Sequence, residues 1–104
     1  MKLRELVTEI EENKSIWWKH IAYFGIEKQL LILAEELNEL QKEVLKTVRD
    51  LQNNDVWFMN QGEFVEEYID VVIMLYQFEC YLDYVYTNSV LKDKTEKGKK
   101  RVNL

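Results

Sequence analysis

The sequence predicts an all-α protein: a helical bundle of about four helices, built on two long antiparallel ones and completed by oligomerisation. Three observations predict it. Among 104 residues there is no proline and there are three glycines, so strong turn signals are scarce. Apolar residues recur at helical spacing along most of the chain. The longest such segment, about 27 residues, would run about 40 Å at 1.5 Å per residue. A chain this short supplies few partners along that length, which favours a second subunit.

The elements follow in order. Residues 2–13 carry Leu3, Leu6, Val7 and Ile10 at helical spacing, and the helix either continues or breaks at "NKS", 13–15. The aromatic segment "SIWWKHIAYFG", 15–25, ends at Gly25, a helix stop. Residues 26–52 form the clearest helix, with Leu30, Leu33, Leu37, Leu40 and Val44 as its apolar stripe. "NNDVWFMNQG", 53–62, is a loop. Residues 63–86 form the second long helix, apolar all round from Val71 to Tyr76 and so buried there. "TNS", 87–89, offers caps for a short last helix over 89–101. No linker divides the chain, which reads as one domain over residues 1–104.

Charge narrows the function. A net charge of −5 argues against nucleic-acid binding, which needs excess Lys and Arg against phosphate. A small phosphorylated ligand stays compatible if divalent cations screen the acids. The basic residues gather in "KDKTEKGKKR", 92–101. Cys80 is the single cysteine; it cannot form an internal disulfide and is expected in the core. With charges throughout its first residues and an apolar run of only "VVIML", the chain is expected to be cytoplasmic with no membrane partner.

The chemistry lies in the acids of the two long helices. On the first, Glu36, Glu39 and Glu43 fall within an arc of about 60° that borders the leucine stripe, with Glu35 about 40° beyond it. Asn38 and Lys42 take the solvent side. On the second, Glu67 and Asp70 stand just before the apolar segment. A carboxylate there is costly unless a cation or a hydrogen bond meets it. Helix-dipole effects and pairing with Lys28 or Lys46 account for single glutamates without any function. Two pairs spaced i, i+3, Glu36 with Glu39 and Glu67 with Asp70, are harder to set aside. Packed antiparallel, the two helices can bring four carboxylates together, which must then protonate or bind cations. Hard oxygen ligands suit Mg²⁺, Mn²⁺ or Ca²⁺. One His and one Cys disfavour zinc, and no Glu-x-x-His supports a di-iron site.

These residues resemble a known family. "EELNE", 35–39, followed by "EYID", 67–70, is similar to the E-x-x-E and E-x-x-D signature of the MazG-type all-α nucleoside triphosphate pyrophosphohydrolases. The likeness extends through "FGIEKQLLILAEELNELQKEV", "EFVEEYIDVVIMLYQF" and the basic tail, covering most of residues 24–101. It implies Mg²⁺-dependent hydrolysis of a (deoxy)nucleoside triphosphate to the monophosphate and pyrophosphate, with Mn²⁺ as a substitute metal. It also implies a homo-oligomer, dimer or tetramer, whose neighbouring subunits shape the site. Carried over, Glu36, Glu39, Glu67 and Asp70 would be metal ligands. Glu35 and Glu36 would be the catalytic acids, Glu35 as an added ligand or as the base that orients water.

Lys94, Lys97 and Arg101, on one face if 89–101 is helical, would steady the leaving pyrophosphate. Trp17 and His20, in an aromatic cluster with Trp18 and Phe24, could stack on a base, as could Trp57 and Phe58, although such rings commonly serve a core or a subunit interface. Gln29 could read a base edge through its amide. The competing expectation is a helical-bundle protein that binds nucleotide or metal without hydrolysis.

Overall fold

In a computed structural model, which describes residues 1–53 and 62–103, the chain is all-helical, with no strand among the described residues. Among the described residues five helices follow one another: α1 (Leu3–Glu12), α2 (Lys14–Phe24), α3 (Ile26–Asn53), α4 (Gly62–Gln77) and α5 (Tyr84–Arg101), with a short 3₁₀ turn at Glu79–Tyr81. The expected loop over 53–62, with Trp57 and Phe58, lies almost wholly outside the described residues.

Local chemistry sets the breaks. Asn13 alone separates α1 from α2, and its amide nitrogen donates to the Glu9 carbonyl at 3.0 Å. Gly25 alone separates α2 from α3, at φ 87° and ψ 154°, while its N–H donates to the Ile21 carbonyl at 2.9 Å. That backbone region is close to glycine-only, which explains the residue.

The second long helix departs from expectation. It stops at Gln77 instead of running on to residue 86. Asp83 then starts α5, its carboxylate accepting the Tyr86 N–H at 2.8 Å. An N-cap four residues ahead of "TNS" therefore sets the start, and α5 is an 18-residue helix. Because the chain leaves the core after Phe78, Cys80 is exposed on the 3₁₀ turn instead of buried.

The hub is α4, which packs on α1, α2 and α3. Ile21, Met74 and Phe78 form the central cluster, with Ile32 and Leu33 against it. Residue pairs fix the sense of the main helix pair. Lys46 meets Glu63 and Gln29 meets Gln77, so numbers fall along α3 as they rise along α4 and the helices run antiparallel. Two apolar faces stay open. Leu75 of α4 is 51% exposed, so the Val71–Tyr76 segment is not covered all round. On α3, Leu33 and Leu40 are half-buried, whereas Leu30, Leu37, Val44 and Leu51, spaced by seven, are each 42–49% exposed. No helix among the described residues is long and apolar enough to cross a membrane.

Candidate metal and nucleotide site

The antiparallel pairing brings the acids of α3 and α4 to one place. Carboxylate oxygens of Glu36, Glu67 and Asp70 all lie within 4.8 Å of one another. Glu36 and Glu67 are half-buried and Asp70 is exposed. Burial first, then the charges of Asp70 and Glu67, push the Glu36 carboxyl above its ordinary value of 4.5. Glu67 is also raised, by burial first and then by the charges of Asp70 and Glu39. Like charges at this spacing favour the protonated form unless a cation joins them. Three hard oxygen donors fit Mg²⁺ or Mn²⁺ and do not fit a soft metal.

The other expected acids take different places. Glu39 is one turn from Glu36 and acts on Glu67 through its charge, but its carboxylate pairs with Lys42 at 3.2 Å. Glu35 is exposed and stands outside the three-carboxylate group. Glu43 lies 4.0 Å from Lys46, which also holds Glu63 at 2.8 Å. Lys28 sits over the Phe24 ring, 4.8 Å from its centroid, and pairs with no acid among the described residues.

Beside the carboxylates is a cavity of about 320 Å³. Trp17, His20 and Phe24 of α2 form one wall. Gln29, Ile32 and Glu36 of α3 face Asp70, Ile73, Met74 and Gln77 of α4. Trp17, His20 and Gln29 thus share a cavity with two of the acids. The His20 ring lies between Trp17, at 5.6 Å, and Phe24, at 6.1 Å. Its Nδ1 is 2.9 Å from the Ile16 carbonyl, which can only accept, so Nδ1 carries a proton.

Compared with known proteins, the chain matches no family model, no curated protein and no solved structure.

Lys94, Lys97 and Arg101 do not join this site in the single chain. They lie on α5, which has no buried residue and gives the cavity none of its described lining. Sequence reading also missed Gln77. It is 2% exposed, and its Oε1 accepts from Gln29 Nε2 at 2.6 Å. A glutamine at the end of an apolar run was the available signal, because a polar group buried there needs a partner.

Proposed function

We propose that the protein is a divalent-metal-dependent nucleoside triphosphate pyrophosphohydrolase of the MazG type, working in nucleotide-pool control or house-cleaning. One observation carries the reading: three carboxylates meet within 4.8 Å at the edge of a cavity lined by aromatic rings and a buried amide. Acids and rings together suit a ligand with a charged, metal-binding end and a planar end.

Attack on a polyphosphate is slow because its oxygens repel the nucleophile. Mg²⁺ bound by Glu36, Glu67 and Asp70 would neutralise that charge and make water a better nucleophile. The chain's own residues do the rest. Glu36 and Glu67, raised in the free protein, ionise when a cation meets them. Glu39 adds charge at the edge, and Glu35, exposed one residue before Glu36, is the candidate to orient water. The α2 rings hold the base end and exclude water from it. In this reading Lys94, Lys97 and Arg101 come from a second copy in a homo-oligomer. The open stripe of Leu30, Leu37, Val44 and Leu51 is the surface for that association.

The test is a panel of common and damaged (d)NTPs with Mg²⁺, with products identified. Monophosphate and pyrophosphate are expected. If the folded protein turns over none of them, the hydrolase reading fails, and nucleotide binding without turnover would favour a non-enzymatic binding protein.

A further inference from the structure

Two residues that line the cavity each bury a polar atom without a partner among the described residues: Trp17 its indole Nε1–H and Gln29 its Oε1. Gln29 is 2% exposed. A buried acceptor left without a donor keeps the full cost of its lost hydration. Native interiors seldom leave one without a reason.

The orientation of the Gln29 amide is set by a chain of contacts. Gln77 Nε2 lies 3.7 Å from Met74 Sδ and donates to it. That leaves Gln77 Oε1 to accept from Gln29 Nε2 at 2.6 Å. Gln29 Oε1 is then the free end. Turning both amides over would set Gln77 Oε1 against the Met74 sulfur, two acceptors with no proton between them. Met74 therefore selects the orientation through Gln77, two positions further along the relay from the ligand.

We infer that Met74 and Gln77 are specificity-determining positioning residues that hold Gln29 as an acceptor, so that the cavity takes a planar heterocycle whose edge sets an N–H donor beside an acceptor. Gln29 Oε1 receives the N–H, and the Trp17 indole, a donor only, meets the acceptor. The pairing edge of a nucleobase has this pattern. The inference rests on reading the cavity as a nucleotide site, but it concerns base binding and not turnover.

The test is a titration of ¹⁵N-labelled protein, with Mg²⁺, by the four common deoxynucleoside monophosphates. The Trp17 indole signal is identified with a Trp17→Phe variant. At least one monophosphate is expected to shift it. Its analogue methylated on the edge nitrogen should bind the unaltered protein about tenfold more weakly, the size of one lost hydrogen bond. Met74→Leu removes the sulfur acceptor and should shrink that penalty, while Gln29→Leu should abolish it. No shift of the indole signal by any monophosphate at millimolar concentration overturns the inference. Equal binding of the methylated analogue also overturns it, with no variant needed. Equal turnover of a triphosphate and its edge-methylated analogue would sink this inference and leave the hydrolase reading standing. Edge-selective binding without turnover would do the reverse.

Discussion

Lys42 Nζ lies 3.2 Å from Glu39 Oε1, so the acid next to the three-carboxylate group already has a counter-ion. Both side chains are well exposed, at 62% and 49%, and a pair of this kind is weak. Glu39 should therefore tune the site while Glu67 and Asp70 grip the metal. Calorimetry should show Glu39→Gln weakening Mg²⁺ binding only a few-fold, against at least about tenfold for Glu67→Gln or Asp70→Asn. Equal losses in all three would place Glu39 in direct contact with the ion.

The carboxylate cluster should make the metal-free protein less stable as pH rises. Glu36 and Glu67 both hold protons above the ordinary value of 4.5, so the folded chain binds more protons than the unfolded chain just above that pH. Stability then falls as pH rises through the interval from the ordinary value to the raised ones, and returns on acidification toward it. Mg²⁺ should reverse the effect, raising Tm more near neutrality than in mild acid. Thermal melts with and without EDTA across that interval would read this directly. A Tm gain from Mg²⁺ that ignores pH would count against binding at these acids.

If Lys94, Lys97 and Arg101 act across a subunit boundary, two inactive variants should rescue each other. Asp70→Asn removes a candidate metal ligand, and Lys97→Ala with Arg101→Ala removes cations from α5. Each alone should lower kcat at least about a hundredfold. Mixed and re-associated, they should recover part of the activity, because some sites would then carry both intact halves. Recovery no greater than the sum of the separate variants would show that α5 serves its own chain or none.

Association itself should depend on the α3 stripe. Leu37→Lys with Val44→Lys places charge in the middle of a surface that is open in the single chain. Light scattering should report a multiple of the 12.6 kDa chain for the unaltered protein and a single chain for the variant, with helicity kept. A variant that still associates would move the interface elsewhere.

Stability should depend on the centre of the helix pair and hardly at all on its rim. Met74, 6% exposed in the central cluster, should cost about 2–5 kcal/mol when cut to Ala, by the usual cavity penalty. Lys46→Ala breaks the 2.8 Å contact to Glu63, yet both groups are exposed, so denaturant melts should barely change. A large Lys46 effect would mean that this pair is shielded by something absent from the single chain.

Much of the architecture was legible because it depends on local signals. The long helix expected over 26–52 appears as Ile26–Asn53, and Gly25 ends the preceding helix. The convergence of Glu36 with Glu67 and Asp70 was legible because helical spacing fixes which acids flank the core. The break after Gln77 was not. Residues 78–83 are aromatic, apolar and acidic, with no glycine or proline to announce a stop, and Asp83 reads as a cap only once the chain has turned. Cys80 was misplaced for the same reason. The pairing of Gln29 with Gln77 joins residues 48 apart, and no periodicity carries that information.

The single-residue connection at Gly25 has a mechanical consequence. The aromatic wall belongs to α2 and the glutamine and acid wall to α3, and between them stands one residue with two rotatable backbone angles. With both helices intact, the walls have no slack to drift apart by translation. Any movement of α2 against α3 is then a swing about Gly25, and it would carry Trp17 and His20 through a longer arc than Phe24. A Cβ at that fulcrum would touch nothing within 4 Å, so the burden of an alanine there would fall on the φ of 87° alone. Gly25→Ala would thus strain the junction of α2 and α3 without crowding the cavity between them.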